Sequence, residues 1–519
     1  MSSTKGYQLD HPAWALLLAG IPLLVGFLGG QPYFVDDAYI TFRYAENLAR
    51  GYGFVYNSVP VLGTTAPFYC LLLTLLKVLG ISMVSSALFL GVISSAAAAI
   101  IIWRLGIKTG RIDAGFLGAL MLALFPDWWL DSKTGMETTL AGALVAGTFY
   151  LDIVGRGAAS GAVTACLVLT RPDMGTLAIL LFLKNVFLKN KRQALRFALG
   201  GVAVGLPWLI YAWATFGSPI PQSLPAKKLI HSFPWHLSFI HYLGFFTSVT
   251  EGPYLALISC LWIGGAYQIY RHWREGIVLA LWPPLFLLGL SFTGVSPFFW
   301  YKIPLLPVYF FVAAIGFYAA LEWGERKFGP ARLLLRPALI LYFVMGLYRA
   351  EPYIFNIEAR QSLIRKEIIQ KGMSEIMAKR TQELKRDPKN VRILVGETGI
   401  IGYELMDFIM LDSAGINSKA VYKIRNNDWI RLKTEHPEYD WRQQMEQSQE
   451  WVKEILRIYQ PDFIATDIRY LHLTELVNDS DFHSHYRLLK TISDKDEGEF
   501  AIVERINSLS PDVAKAPPP

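Results

Sequence analysis

Charged residues and cysteines are both scarce in this chain of 519 residues. Asp, Glu, Lys and Arg make up only 18% of the sequence and 53% of it is apolar, a composition that excludes an ordinary soluble protein. The three cysteines, Cys70, Cys166 and Cys260, lie far apart within apolar segments. This spacing offers no disulfide framework and no cysteine-based metal site. After residue 350 the long apolar runs are missing too, which separates a membrane part from a polar C-terminal part.

Apolar runs of about 15–22 residues fill the chain between residues 13 and 350, and about 20 residues suffice for a helix to cross a bilayer. If the run at 66–80 is an interfacial helix and not a span, most of the basic loops fall on the same side of the membrane, as the positive-inside bias requires. The sequence then predicts a polytopic α-helical membrane domain over 1–350 with about 11 spans. These spans are 13–30, 83–103, 114–126, 137–154, 159–170, 174–188, 197–214, 253–270, 277–294, 303–321 and 333–348.

The net charge of +7 is distributed unevenly. Residues 1–350 carry 25 Lys and Arg against 14 Asp and Glu, whereas residues 351–519 carry 24 against 28. The excess belongs to membrane loops, where the positive-inside bias accounts for it, so we expect a lipid bilayer and no nucleic acid as partner. We predict a multi-pass protein of the plasma (inner) membrane, with its N-terminus cytoplasmic and its C-terminal domain extracytoplasmic.

The C-terminal part alternates helices and strands. A charged helix up to about residue 386 precedes the short apolar segments "VRILVGE" and "DFIMLD", and a helix over 440–460 leads into "DFIAT". This order predicts a soluble α/β domain over 351–507. The last residues, 508–519, are rich in proline and are expected to form a disordered tail.

Two adjacent carboxylates, Asp36 and Asp37, follow the first apolar run. The residues after them predict an amphipathic interfacial helix that stops near Gly51. Its apolar stripe is Ala38, Phe42, Ala45 and Ala49, and its polar stripe is Tyr39, Arg43, Glu46 and Arg50. Two interpretations are open: either acid caps the helix, or the pair faces an outer cavity where one carboxylate acts as a general base.

Five segments, in order along the chain, resemble motifs of the C superfamily (GT-C) of membrane glycosyltransferases, and of its mycobacterial terminal arabinofuranosyltransferase branch in particular. The superfamily also includes protein mannosyltransferases and aminoarabinose transferases. The segments are "DDAYITFRYAENLARGYGFVYN" (36–57), "KTGMETTL" (133–140), "LTRPDMG" (169–175), "FGSPIPQSLPAKK" (216–228) and "VGETGIIGYELMDFIMLDSAGI" (395–416). The chain departs from the branch at Leu62, Thr64, Gln222 and Pro225, which leaves the sugar and the acceptor open.

The resemblance implies the GT-C fold, a polyprenyl-phosphate sugar donor and inverting transfer of a pentose or hexose to a glycan, lipid or protein. It assigns Asp36 as the base and Asp37 as the supporting acid, and the pair could also hold a divalent cation. Candidate donor-phosphate ligands are Lys227, Lys228, Arg171, Lys302 and Arg43. Candidate substrate-binding residues are Glu137, Tyr44, Asn57, Gln222 and Trp300.

Ordinary structural roles compete with these assignments. Lys227 and Lys228 could be a solvated pair, Arg171 a salt-bridged helix end, Glu137 a helix N-terminal acid and Trp300 part of an aromatic belt. Among other functions, a ligase that moves a preassembled glycan has the same predicted topology. A transporter or flippase of a lipid-linked sugar fits less well, because the sequence has no internal repeat. A non-catalytic relative that binds a lipid-linked sugar is a further alternative.

Overall fold

The computed structural model describes residues 9–29, 32–230, 234–247, 253–294, 298–328, 357–439, 450–468, 473–476 and 480–506, with Gln443, Ser448 and Leu471. The predicted span 333–348 and the predicted tail 508–519 lie outside the described residues.

Helices dominate the first part of the described chain. In order they are α1 Ala13–Leu28, α2 Asp36–Ala49, α3 Pro67–Val78, α4 Met83–Lys108, α5 Ile112–Leu124, α6 Pro126–Asp131, α7 Thr138–Ile153, α8 Gly157–Thr170, α9 Gly175–Phe187, α10 Lys191–Phe216, α11 Ser223–Ile230, α12 Trp235–Thr247, α13 Pro253–His272, α14 Ile277–Thr293 and α15 Leu306–Phe328. Ten of the eleven predicted spans coincide with one of these helices, and the predicted interfacial run is α3.

Among the residues that the structure describes, four helical segments are long and apolar enough to cross a membrane: Met83–Lys108, Lys191–Phe216, Arg274–Thr293 and Phe299–Gly324. Shorter apolar helices accompany them, among them α1, α5, α7 and α8. The protein is therefore a helical membrane protein. The number of eleven spans and the orientation remain predictions.

The chain divides into two compact units, described separately below. Unit 1 comprises residues 1–32, 84–210 and 234–357, and unit 2 comprises residues 33–83, 211–233 and 358–519. Unit 2 thus joins two segments that the sequence assigned to the membrane domain with the C-terminal domain.

Close helix packing in unit 1 depends on glycine. A Cβ atom on Gly106 of α4 would strike the backbone of Gly115 in α5, and one on Gly316 of α15 would strike the backbone of Leu261 and Gly265 in α13. Small residues of this kind let apolar helices approach each other closely. Close packing matters in a membrane, because the hydrophobic effect does not drive helices together in lipid.

The C-terminal part of unit 2 is a mixed α/β sheet. Its helices are α16 Ile357–Glu383, α17 Gly399–Glu404, α18 Lys419–Glu435, α19 Glu450–Tyr459, α20 Leu473–Leu476 and α21 Ser480–His485. Its strands are β1 Arg392–Val395, β2 Ile409–Asp412, β3 Phe463–Asp467, β4 Tyr486–Asp494 and β5 Gly498–Arg505, in the order β2-β1-β3-β5-β4.

The three strands expected from the sequence are β1, β2 and β3. They pair in parallel, with Leu394 opposite both Leu411 and Ile464. The antiparallel hairpin β4–β5, which the sequence analysis did not anticipate, completes the sheet beside β3. Apolar side chains of α19, among them Trp451 and Ile455, cover Leu394 and Leu411 in one buried cluster.

Candidate functional site

Helix α2 carries the two adjacent carboxylates. Val35, in an extended conformation (φ −82°, ψ 151°), precedes the helix, and Asp36 and Asp37 occupy its first turn without capping it through their side chains. Acids in this position are favoured by the helix dipole. Gly51, with φ +83°, follows the helix end as predicted.

Helix α2 differs from the amphipathic interfacial helix that we expected. The residues of the predicted polar stripe Tyr39, Arg43 and Glu46 are buried along with the apolar ones, and only Arg50 is exposed. The reason is that the C-terminal domain packs against α2 within unit 2. The ring of Tyr403 in α17, for example, contacts those of Tyr39 and Phe42.

The Asp36 carboxylate is fixed by the first turn of α17, which follows the loop after β1. The backbone N–H of Gly399 donates to Oδ2 at 2.9 Å, and that of Ile400 donates to Oδ1 at 2.8 Å. Only glycine fits at 399, because a Cβ atom there would strike the Asp36 backbone and carboxylate. The sequence motif at 395–416 therefore has a structural function: it brings two amide donors onto Asp36.

Electrostatics raise the proton affinity of Asp36. Burial raises the pKa of Asp36 to about 8, the charge of Glu397 adds to the effect, and the amide of Ile400 opposes it. A carboxyl group with a pKa near the working pH is suited to act as a general base. Glu397 was not predicted as part of the site. It is 361 positions away from Asp36 in the sequence, and no local pattern indicates that the two residues are close.

Asp37 points to the helix that carries the predicted lysine pair. Lys227 Nζ lies 3.0 Å from Asp37 Oδ2, and both side chains are partly exposed. Lys228, the next residue of α11, is exposed. Unit 2 thus brings the predicted base, its supporting acid and one of the predicted phosphate ligands together.

Protein donors contact both carboxylates of the Asp36–Asp37 pair in this structure, and the binding of a divalent cation there stays a prediction. Both oxygens of Asp36 already accept N–H groups, and the ammonium group of Lys227 takes the place of a cation at Asp37. No group of three or more His, Cys, Asp or Glu among the described residues is arranged to hold a metal ion.

Arg43 is a structural residue in this geometry. Its side chain is 1% exposed and donates hydrogen bonds to Tyr56 O at 2.8 Å and to Phe408 O at 3.0 Å. Further acceptors are the carbonyl oxygens of Gly402, Leu405 and Met406 and the Asn57 side chain. The prediction that Arg43 binds donor phosphate has no support here, because backbone acceptors occupy its N–H groups.

Tyr44 and Asn57 connect the same segments. The Tyr44 hydroxyl donates to Val61 O at 2.6 Å. Asn57 pairs with Met410 of the edge strand β2 on both sides of its amide: Nδ2 donates to Met410 O at 2.9 Å, and Oδ1 accepts from Met410 N at 3.1 Å. These contacts give both residues a structural role, and their proposed substrate contacts stay predictions.

Gln222 directly precedes α11 and connects it to the segment around Leu62, which departs from the family motif. Its backbone N–H donates to Leu62 O at 2.7 Å. Its side-chain Nε2 is buried and has no hydrogen-bond partner in the described part of the chain. Leu62 itself is buried, as is Thr64, whose hydroxyl pairs with that of Thr41 at 2.9 Å. These departures therefore pack inside unit 2.

The last part of the 395–416 motif closes a tight loop after β2. Asp412 Oδ1 accepts from Ala414 N at 2.9 Å and Asp412 Oδ2 accepts from Asn417 N at 2.8 Å. Gly415, with φ +72°, provides the left-handed turn between them, a conformation that glycine adopts without strain.

The other predicted site residues belong to unit 1. Arg171 is buried; its Nη1 lies 3.1 Å from Glu137 Oε1 and its Nη2 lies 2.8 Å from Asp173 Oδ2. Its guanidinium also lies over the ring of Tyr301, 5.0 Å from the ring centre. The ion pair with Asp173 is the contact that the salt-bridged alternative for Arg171 describes, and substrate contacts of Arg171 and Glu137 stay predictions.

Lys302 and Trp300 complete the predicted set in unit 1. Lys302 is buried and its Nζ lies 2.7 Å from Asp127 Oδ2. Trp300 stacks on Phe298 with ring centres 4.5 Å apart. The sequence analysis missed Asp131, a buried carboxyl group that accepts from the Thr138 hydroxyl. Burial raises the pKa of Asp131 to about 8, although that hydrogen bond opposes the shift.

A scan against protein-family models finds no matching family, and a search of curated proteins finds no matching sequence. Solved structures do match. ArnT from Cupriavidus metallidurans, bound to undecaprenyl phosphate, is 12% identical with a TM-score of 0.61, and the match covers 95% of this chain and 98% of ArnT.

The oligosaccharyltransferase of Archaeoglobus fulgidus also matches. A complex with zinc and sulfate is 12% identical with a TM-score of 0.56, and the match covers 94% of this chain and 72% of that one. Its structure tethered to an acceptor peptide with an NVT sequon is 13% identical with the same TM-score, covering 97% and 74%. At this low identity the likeness shows the fold alone: the chain shares the helical membrane fold of ArnT and of the archaeal oligosaccharyltransferase.

Proposed function

We propose that this protein is an inverting glycosyltransferase that moves a sugar from a polyprenyl-phosphate donor to an acceptor on the outer face of the membrane. The observation that carries the proposal is the Asp36 carboxylate, fixed by two backbone amides beside the Asp37–Lys227 ion pair. Support for the donor class comes from ArnT, which has the same fold and binds undecaprenyl phosphate.

The chemistry of one displacement fits these groups. Asp36 takes the proton of an acceptor hydroxyl while the oxygen of that hydroxyl forms the new bond to the anomeric carbon. The bond from that carbon to the donor phosphate breaks, and the polyprenyl phosphate leaves with the electron pair. The amides of Gly399 and Ile400 keep the carboxylate oriented, so little reorganisation is needed during the reaction.

Lys227 and Lys228 are the cations that we assign to the leaving phosphate. The charge of Lys227 is balanced by Asp37, the residue that follows the proposed base in the chain, and this ion pair holds the ammonium group in place. Lys228 is exposed and can approach a phosphate without first breaking a buried contact.

A second candidate is transfer of a preassembled glycan, as in a lipid-linked saccharide ligase. The match with the archaeal oligosaccharyltransferase, which was captured with an acceptor peptide, favours it. The two candidates share the base and differ in the mass of the transferred group.

The test uses purified full-length protein in nanodiscs. Wild type, Asp36→Asn, Asp37→Asn and the control Asp407→Asn, at an exposed position of the same unit, are each incubated with polyprenyl-phosphate sugars and an extract of lipids and glycans. Release of the free polyprenyl phosphate and the mass of the product are measured. Folding is checked by thermal unfolding.

We expect Asp36→Asn to lose at least about 100-fold in rate, the range for removal of a general base. Asp407→Asn should retain the wild-type rate. A folded Asp36→Asn variant that turns over any donor as fast as wild type contradicts the proposal. A product that gains several sugars in one step favours the ligase.

A further inference from the structure

Glu397 lies in the loop between β1 and α17, two residues before the first amide that binds Asp36. Its Oε2 accepts a hydrogen bond from Gln370 Nε2 of α16. Gln370 is 2% exposed, and its Oε1 is buried without a hydrogen-bond partner in the described part of the chain. A buried amide has both a donor and an acceptor, so it can serve a carboxylate and, after a flip, a carboxylic acid.

Several charges surround this carboxyl group within unit 2. Lys366 of α16 favours its ionised form, whereas Asp37 of α2 and Asp467 of β3 oppose it. Burial is the largest influence and raises the pKa of Glu397. The charge of Glu397 in turn raises the pKa of Asp36, so that ionised Glu397 disfavours the ionised form of Asp36.

We propose that Glu397, held by Gln370, is a positioning residue for sugar transfer that acts on Asp36 as a second carboxylate. This inference rests on the proposed function and extends it to the C-terminal domain. Two adjacent parts of the C-terminal domain then act on the base: the first amides of α17 orient the carboxylate, and the charge of Glu397 in the preceding loop makes it a stronger proton acceptor. The C-terminal domain is thus part of the catalytic site.

The experiment compares pH profiles of kcat/KM for release of polyprenyl phosphate, with the donor that wild type consumes. Glu397→Gln keeps the size of the side chain and a hydrogen bond to Gln370 but removes the charge. We expect the acid limb of its profile to move to lower pH by about one unit, the order of magnitude for the loss of one neighbouring like charge. The matched control is Glu375→Gln on an exposed position of α16, which should follow wild type.

Two further variants distinguish an effect on the pKa of Asp36 from an effect on folding. Glu397→Asp retains the carboxylate and should return the limb toward the wild-type position. Gln370→Leu removes the donor that stabilises the Glu397 charge, so Glu397 stays protonated to higher pH and the limb should again move to lower pH. A residue with only a structural role would lower the rate or the melting temperature without moving the limb.

The proposal is overturned if Glu397→Gln and Gln370→Leu both keep the wild-type limb. If they do so while Asp36→Asn is inactive, Asp36 remains the base and only the role of Glu397 is lost. If Asp36→Asn itself is fully active, the proposed function fails as well.

Discussion

Replacing Arg43 by methionine separates the two roles that this residue could have. The sequence suggested a ligand for the donor phosphate, whereas the structure shows a guanidinium that holds the backbone of unit 2 together. Methionine fills much of the same volume but donates no hydrogen bond. The structural role predicts a loss of stability, and the phosphate role predicts a loss of donor affinity in a protein that is otherwise stable.

The magnitude follows from the contacts. Arg43 donates to five backbone carbonyl groups and to one side-chain oxygen, and a hydrogen bond to a charged group contributes about 1.5–3 kcal/mol. The contributions are not additive, since some carbonyl groups find other donors. We therefore expect a loss of about 3–5 kcal/mol. For a domain of about 150–250 residues this lowers the melting temperature by roughly 10 °C.

Thermal unfolding in nanodiscs, together with donor titrations, measures both quantities. Arg50→Met is the control, because Arg50 is an exposed residue of the same helix and its partner Glu46 keeps a second ion pair, with Lys77. An i,i+4 helix pair of this kind contributes about 0.3–0.5 kcal/mol. Arg43→Lys should be intermediate, since a lysine cannot reproduce the planar set of donors. A melting temperature of Arg43→Met within about 1 °C of wild type, with a raised donor KM, would refute the structural role.

Three more predictions concern the same unit. Because a general base must be ionised and burial raises the pKa of Asp36 to about 8, kcat/KM of wild type should rise with pH, reach half of its maximum near that pKa and level off about one unit higher; a flat profile from about pH 6 to 9 contradicts this. Gly399→Ala should lower the rate at least about tenfold by displacing Asp36, whereas Gly372→Ala, in open space, should not. Asn57→Leu removes both hydrogen bonds to Met410 and should cost about 1–3 kcal/mol in thermal unfolding.

The helices of the fold were predictable from the sequence, because apolar runs of membrane length are a strong signal. The strands β1 to β3 were predictable for a similar reason: each is a short apolar segment between polar ones. The hairpin β4–β5 was missed because its first strand, with the burial pattern of a mostly exposed edge, has no continuous apolar run.

At the candidate site the sequence identified residue types better than contacts. Asp36, Asp37 and Lys227 came from local motifs, and the structure brings them together. The burial of Arg43 and the proximity of Glu397 to Asp36 could not be predicted, because both arise from contacts between segments more than 350 positions apart. No local pattern around Arg43 distinguishes a guanidinium that binds carbonyl groups from one that binds phosphate.

The contact between Asp36 and its two amide donors also sets an order of events during biosynthesis. The residues that orient this carboxylate lie 363 and 364 positions downstream. At about 5–20 residues per second, the ribosome needs roughly 20–70 s to make the chain between them. During that time the face of α2 that the C-terminal domain covers in the complete protein is exposed. A nascent or truncated chain that inserts correctly therefore lacks the two amides that orient Asp36, and this carboxylate is fixed only after the C-terminal domain has been made.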